Sequence, residues 1–504
     1  MVHAVKSDNE LYRALRGKTC EELWREARAL DALAEPERSR RAAVVRAVGV
    51  AFADRGDEAG KARARDWLRG LLRDPSEKIR RYAAAALPKL GDDRGAEGAL
   101  LGRLPEAASE SERRALREAL GKVGGRATLD AGADVADAGR LLARAAREEQ
   151  PGAVATEALL PAGIDVAFRC RRGLEAILAE ELAERLPEVR VLARSPGRVL
   201  ARADGRLRLA DLLRPRVAAA FALVLGEVRA RTAAAAVQPV ALRVAGPVGS
   251  AVLRAATSGA ARFRIEAPDE LGDPAFLRGV AEAVRALAPD LLNDPRGAPW
   301  SLDLLPIVGG VRLELRPRFS PDPRFAYRRG DVPAASHPPL AAAMARLAGR
   351  RDGEVVWDPF CGSGQELVER GLLGGAALLV GGDLDPEAIA VARANLEAAG
   401  LAGVRSRLMV ADFREHAKVP ELTAGTVGLV VTNPPMGRRV PVKDLKGLIA
   451  GLFAAAAEVL APGGRLVLAN PVRVGPADDR LSPAGSTEVD LGGFTCRLER
   501  WDRR

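Results

Sequence analysis

Apolar residues recur at three- and four-residue spacing along the first 150 positions. The pattern predicts helices over residues 10–30, 37–53, 60–73, 77–90 and 111–123, separated by Gly, Pro and Asp. A repeat runs through two of them. Ser76-Glu77, Arg80-Arg81, Leu87, Lys89 and Gly91 return 33 positions later as Ser109-Glu110, Arg113-Arg114, Leu120, Lys122 and Gly124. Helix pairs of this period bury their apolar faces only against their neighbours, so residues 1–147 are expected to form an all-α, solenoid-like region. Such regions mostly bind partners, and no catalytic constellation falls within this one, so a protein partner is expected here.

Residues 148–164, with Pro151, Gly152, Pro161 and Gly163, read as a linker. The periodicity then becomes mixed. Strands are predicted over 165–171, 189–193, 198–203, 262–266, 301–307 and 311–316, and helices over 173–184, 209–228 and 275–288, so residues 165–322 are expected to be an α+β layer. From Pro338 the alternation is regular. A helix over 338–348, with Pro in its first turn, precedes strands at 354–358, 376–383, 405–411, 427–432 and 465–469, and a hairpin at 487–490 and 495–501 closes the chain. A parallel α/β sheet ending in an antiparallel hairpin is a Rossmann-like plan, assigned to residues 323–504.

A length of 504 residues fits about three domains. No stretch approaches the roughly 18 uninterrupted apolar residues of a membrane span; the best, Val217–Gly226, is flanked by Arg216 and Glu227. Residues 1–17 are charged and carry no apolar signal segment, so a cytoplasmic protein is expected. Cys20, Cys170, Cys361 and Cys496 never pair as CxxC, which argues against a structural zinc site or a disulfide framework, and no metal is expected. The formal charge of +10 is concentrated. Residues 165–330 hold 27 Arg, no Lys and 19 acidic residues, a net +8, which suits a phosphate backbone. Preference for Arg over Lys runs through the whole chain; the concentration does not.

Two motifs carry chemistry. In Val355–Gly364 (VVWDPFCGSG) a buried strand enters a glycine turn that opens a helix, so the backbone can approach a ligand closely. Asp383 follows at the end of the next strand, with Asp385 two residues on, where an acid binds ribose hydroxyls; Asp412 ends the third strand, within reach of an adenine amino group. The second motif is Thr432-Asn433-Pro434-Pro435-Met436-Gly437, beyond the apolar strand 427–431. Its prolines fix the backbone, so the Asn433 amide and the Pro434 carbonyl are preorganised acceptors for the two N–H groups of a planar amine.

Residues 338–470 resemble class I amino-methyltransferases. The resemblance implies that Asp358, Pro359, Cys361, Gly362, Ser363 and Gly364 bind S-adenosyl-L-methionine, and that Asn433, Pro434, Pro435 and Met436 meet the target nitrogen. Arg169–Glu175 (RCRRGLE), Leu178, Glu180–Leu182, Gly197–Val199, Leu212–Arg216 and Tyr327–Arg329 with Pro338–Ala341 are similar to THUMP-containing RNA guanine-N2 methyltransferases. The N-terminal helices resemble HEAT repeats. The implied activity is methylation of guanine N2 in tRNA or ribosomal RNA.

The chain departs from that family in three ways: Met436 stands where an aromatic usually stacks on the base, Gln365 replaces a small hydroxyl residue, and the THUMP-like region lacks Lys and stacking aromatics. Adenine-N6 or glutamine-N5 methylation, and a non-catalytic RNA- or protein-binding scaffold, therefore remain alternatives. Cys361 reads as a small turn residue, and His337 and His416 as isolated surface or capping residues. Arg438-Arg439 reads equally as a phosphate contact or a solvated pair. The basic hinge Arg312–Arg329, six Arg against Glu314 and Asp322, is expected to touch RNA.

Overall fold

Thr19 and Glu22 decide where the first predicted helix breaks. In the computed structural model, which describes residues 8–31, 38–91, 94–135, 138–333, 335–401, 403–437 and 442–504, Glu22 accepts from the Thr19 N–H at 2.8 Å. Thr19 Oγ1 in turn accepts from Glu22 N–H at 3.3 Å. This capping box starts a new helix after Gly17, so one expected helix becomes α1 (Asp8–Arg16) and α2 (Cys20–Asp31). The region continues as α3 (Arg38–Arg55), α4 (Glu58–Leu71), α5 (Glu77–Ala86), α6 (Arg94–Arg103), α7 (Glu110–Val123), α8 (Arg126–Asp130) and α9 (Ala138–Glu149). Pro88 tightens the end of the 77–90 prediction into a 3-10 turn over Leu87–Leu90. The repeat has a physical counterpart. Arg80 of one copy forks onto Glu112 of the next with two bonds of 2.7 Å, and Ser109 donates to Glu77 at 2.7 Å. The Arg80 hydrogen bond, ahead of all else, holds the buried Glu112 carboxyl down at about 2. A continuous core from Leu15 through Val45, Leu68, Ile79 and Leu87 to Leu120 closes the region.

The chain divides into two compact units. One comprises Met1–Gly152 with Gly259–Arg264 and Val284–Ala298; the other holds Ala153–Ser258, Ile265–Ala283 and Pro299–Arg504. In the first, Asp294 gathers Arg147 and Arg262, each at 2.7 Å.

The second unit carries two large sheets and a short two-stranded ladder of Ala153–Val154 with Thr257–Ser258. The first is built from β1 (Ile164–Arg169), α10 (Glu175–Arg185), β2 (Val189–Ser195), β3 (Arg198–Ala203), β4 (Ala220–Arg229), α11 (Ala233–Ala245), α12 (Pro247–Ala255), α13 (Pro274–Leu287), β5 (Trp300–Ile307) and β6 (Gly310–Pro317). Six of its eight strands run antiparallel in the order β2-β3-β1-β4-β6-β5. The helix expected over 209–228 is corrected. Only Leu209–Leu213 is helical, as a 3-10 turn, and β4 follows. Ala and Leu favour a helix locally, but Pro215 interrupts it. Phe221 then pairs with Phe168 on one side and Leu223 with Leu315 on the other, a two-sided ladder that outweighs propensity.

The second sheet contains α14 (Pro338–Ala348), β7 (Glu354–Asp358), α15 (Gln365–Leu372), β8 (Ala376–Asp383), α16 (Pro386–Ala398), β9 (Arg405–Val410), β10 (Val427–Thr432), α17 (Leu445–Val459), β11 (Leu460–Asn470), β12 (Leu481–Asp490) and β13 (Thr495–Arg503). The order is β9-β8-β7-β10-β11-β13-β12, parallel except where β13 meets its two neighbours. The strand order reverses between β7 and β10, so the ligand crevice of an open α/β sheet opens at their carboxyl ends. Both motifs lie there.

The two large sheets of this unit are tied together at Gly173. Gly173 has φ +98°, and a Cβ on it would lie 1.8 Å from the Glu488 carbonyl oxygen. Asp490 N–H donates to Arg172 O at 3.1 Å, and Thr487 Oγ1 to Gly173 O at 3.0 Å. The glycine of the RCRRGLE segment is there because β12 runs across it.

Candidate active site

β7 delivers Asp358 to the floor of the crevice with no solvent exposure. Its Oδ1 accepts from Thr432 Oγ1 at 2.6 Å and from Phe360 N–H at 3.1 Å; its Oδ2 is buried without a partner. Burial first, then the charge of Glu366, push its pKa well above the usual carboxylate range. After Pro359, the turn is held to the next strand by Cys361 N–H on Gly382 O at 2.9 Å. Burial, then Asp358, push the Cys361 thiol up, so it is an inert small residue. Gly362 and Gly364 adopt φ +50° and +79°. Gly362 N–H donates to Asp383 Oδ2 at 2.9 Å, and the Ser363 carbonyl accepts from Asn395 at 2.8 Å. The turn is thus braced from β8 and α16, with α15 beginning at Gln365.

The acids expected at the strand ends divide by role. Asp383 stands at the end of β8 beside the turn, its Oδ1 accepting from Asp385 N–H at 3.0 Å. Asp385 is exposed and caps α16 through Glu387 N–H at 2.9 Å. Asp412 caps a 3-10 turn through Arg414 N–H at 3.0 Å and pairs with the Arg414 guanidinium at 3.1 Å. Sequence reasoning missed two neighbours, Leu384 (70% exposed) and Val410 (56% exposed), large apolar side chains at these same strand ends. The signal was available: an apolar residue beside each strand-end acid.

β10 is hydrogen-bonded directly to β7, with Trp357 opposite Val430, so Asn433-Pro434-Pro435-Met436 emerges beside the glycine turn. Pro434 is buried, and Pro435 and Met436 are half-buried. Asn433 Nδ2 donates to Ser336 Oγ at 2.7 Å, whereas its Oδ1 is buried with no partner. Ser336 Oγ donates in turn to Glu366 of α15. Neither Ser336 nor Glu366 was anticipated. A charged residue in the first turn of a helix that must pack inward was the overlooked signal. Gln365, the departure noted above, sets its Oε1 3.0 Å from the Tyr327 hydroxyl, whose one hydrogen goes to Glu369 at 2.6 Å.

Residues 326–474 match the family UPF0020, the RMKL-like methyltransferase domain. The chain is 33% identical over 164 residues to the tRNA (guanine(10)-N2)-dimethyltransferase of Methanocaldococcus jannaschii, covering 32% of this chain and 45% of that protein. It is 34% identical over 227 residues to the tRNA (guanine(6)-N2)-methyltransferase of Thermus thermophilus, covering 42% and 62%. A Methanothermococcus thermolithotrophicus protein named "Probable tRNA (guanine(10)-N2)-dimethyltransferase" is 30% identical over 138 residues, which are 27% of this chain and 81% of that protein. The chain belongs to this tRNA guanine-N2 methyltransferase family. The crystal structure of TrmN from Thermus thermophilus is similar with a TM-score of 0.52 and 25% identity, over 68% of this chain and all of that one. The chain spans 45% and 62% of the first two relatives' own lengths.

In this family member the basic hinge is less free than its composition suggests. Arg312 pairs with Glu227 at 2.9 Å, Arg316 with Asp303 and Glu266 at 2.9 Å each, and Arg328 with Asp331. Arg324 is buried and donates to the carbonyls of Pro215 and Ala218. Folding imports acids that a count within 312–329 cannot see. His337 precedes α14 without a side-chain cap bond, and His416 is held by Glu458 at 2.9 Å. Arg438-Arg439 lies outside the described residues. Among the described residues no group of three or more His, Cys, Asp or Glu is placed to hold a metal ion, and no single helix is long and apolar enough to cross a membrane.

Proposed function

We propose that this chain transfers the methyl group of S-adenosyl-L-methionine to the exocyclic N2 of a guanine in tRNA or ribosomal RNA. The observation that carries the reading is the buried, unpartnered Oδ1 of Asn433, beside a glycine turn that is braced on Asp383. A buried acceptor without a partner costs about 1–3 kcal/mol, so a site that keeps one is shaped for a donor that arrives with the substrate. The residues fit the cofactor. Gly362 and Gly364 let the backbone approach its amino acid part, Asp383 offers acceptors to ribose hydroxyls, and Leu384 and Val410 offer apolar surface to a flat base.

When bound, S-adenosyl-L-methionine supplies a methyl group on a positively charged sulfur. The lone pair of a guanine amine is delocalised into the ring. Asn433 Oδ1 and the Pro434 carbonyl, accepting its two N–H groups, favour the pyramidal form whose lone pair attacks the methyl carbon. The N–C bond forms as the S–C bond breaks, and the amine then releases a proton to solvent. Pro434 and Pro435 hold these acceptors without the entropy of a free loop.

The +8 charge of residues 165–330 and the RCRRGLE segment support a THUMP-like RNA grip. The Arg80–Glu112 pairing of repeated positions supports a HEAT-like helical region that takes a protein partner. The protein would act on RNA in the cytoplasm. The test is nucleoside analysis of tRNA and ribosomal RNA from a deletion strain, with the purified chain and labelled cofactor restoring the modification. N2-methylguanosine is expected, and Asn433→Ala should bind cofactor yet lose turnover by about 100-fold or more, as removal of one oxyanion-hole donor does. Label recovered as N6-methyladenosine, or only on protein, would overturn the guanine assignment; no transfer with intact cofactor binding would favour a scaffold.

A further inference from the structure

We infer that Ser336 and Glu366 are positioning residues that fix the polarity of the Asn433 amide, turning its oxygen toward the incoming amine. This rests on the proposed amine-methylation reading and goes beyond it, because neither residue belongs to the two motifs.

The argument follows the hydrogens. An ionised carboxylate can only accept. Glu366, 3% exposed, therefore takes the Ser336 hydroxyl hydrogen, and the remaining capacity of Ser336 Oγ is as an acceptor. Asn433 must then present Nδ2 to Ser336, which it does at 2.7 Å, and Oδ1 is left over, buried and unpaired. An asparagine amide is nearly symmetric in shape, and a flip would set a donor against the amine's own donors. Direction is imposed from three elements at once: α15 through Glu366, the segment before α14 through Ser336, and the end of β10 through Asn433.

The charge state of Glu366 matters to this polarity. Burial, partly opposed by the Ser336 hydrogen bond, pushes it up to about 7, and the charge of Glu369 adds to the rise. Asp358 faces it from β7, with Asp383 behind Asp358, while Arg216 and Tyr327 lie on Glu369. Once protonated, Glu366 can donate to Ser336. The serine hydrogen is then free to turn toward Asn433 and favour the flipped amide. The active polarity thus belongs to the ionised form, and turnover should fall as pH drops through neutrality.

The chain has five asparagines, Asn9, Asn293, Asn395, Asn433 and Asn470, so selective 15N-asparagine labelling gives five side-chain amide signals, with Asn433→Asp identifying one. In the full chain, Ser336→Ala and Glu366→Leu should each speed exchange of the Asn433 side-chain hydrogens at least tenfold. Ser336→Thr should restore the slow rate, and the Asn395 and Asn470 signals should not move. With RNA substrate, Ser336→Ala should lower kcat at least tenfold while cofactor affinity and the KM for RNA stay within twofold. The low-pH limb of kcat should vanish in Glu366→Leu. Unchanged Asn433 exchange in Ser336→Ala would overturn the inference, as would parallel loss of cofactor binding or a pH limb that persists in Glu366→Leu. Absence of N2-methylguanosine from the wild-type reaction would remove the functional reading instead, and the exchange rates would still decide the role of Ser336.

Discussion

Arg216→Ala should be among the most destabilising single changes in the second unit. The guanidinium forks onto Glu369 with bonds of 2.6 and 2.9 Å, donates to Arg324 O at 2.9 Å, and lies 5.2 Å from the centre of the Phe325 ring. Glu369 is 2% exposed, and its remaining side-chain partner is the Tyr327 hydroxyl at 2.6 Å. Removing Arg216 strands a carboxylate in the interior with one neutral donor, which costs about 3–5 kcal/mol, against about 0–1 kcal/mol for an exposed pair. Glu369→Gln added to it removes the stranded charge, so the double variant should recover part of that loss, a coupling of about 1–3 kcal/mol. Because the chain has two units and need not unfold in one step, the transition should be followed in urea through cofactor binding, which reports the unit holding both residues. A loss below about 1 kcal/mol in Arg216→Ala, or strict additivity in the double variant, would refute the reasoning and make the pair ornamental.

Two further outcomes test the remaining supports. Asp383→Ala removes a charged acceptor for ribose and the brace on Gly362 N–H, so calorimetric affinity for S-adenosyl-L-methionine should fall about 10- to 150-fold, from hydrogen bonds to a charged group worth about 1.5–3 kcal/mol. Gly173→Ala places a methyl group against the Glu488 carbonyl at a φ that suits glycine, so thermal unfolding should show a loss of about 2 kcal/mol or more, whereas Gly132→Ala, also at positive φ but with open space around it, should lose less.

The second sheet was legible because its signals are local. The strand over 427–432, the glycine turn and the strand-end Asp383 each follow from apolar runs and turn residues within about ten positions. The 209–228 segment was misread because its fate depends on partners far along the chain, Phe168 before it and Leu315 after it, which local helix propensity cannot register. The same distance hid Ser336 and Glu366. Thirty positions separate them, and 67 separate Glu366 from Asn433, so only the folded sheet brings the three together. The hinge arginines show the converse: their neutralising acids, Glu227, Glu266 and Asp303, come from other strands.

Helix α15 shows why the site needs this wiring. Gln365, Glu366, Glu369 and Arg370 are all buried within its first two turns, where a core helix would carry apolar residues. Together they reach four places: Gln365 and Glu369 meet Tyr327, Glu369 also takes Arg216 from the segment before β4, Glu366 takes Ser336, and Arg370 pairs with Glu354 at the start of β7. Apolar packing would have given similar or greater stability, since buried charge pairs often gain nothing over well-packed hydrophobic residues. Packing, however, is tolerant of small rotations, while hydrogen bonds weaken steeply with angle. A helix held by four directional polar side chains keeps its rotation about its own axis, and with it the orientation of Gly362–Gly364 at its N-terminus. The proposed in-line attack on a methyl group demands that kind of constraint, because a misplacement of about 1 Å can lower rate by two orders of magnitude. The break with helical patterning at α15 therefore falls where position matters more than stability.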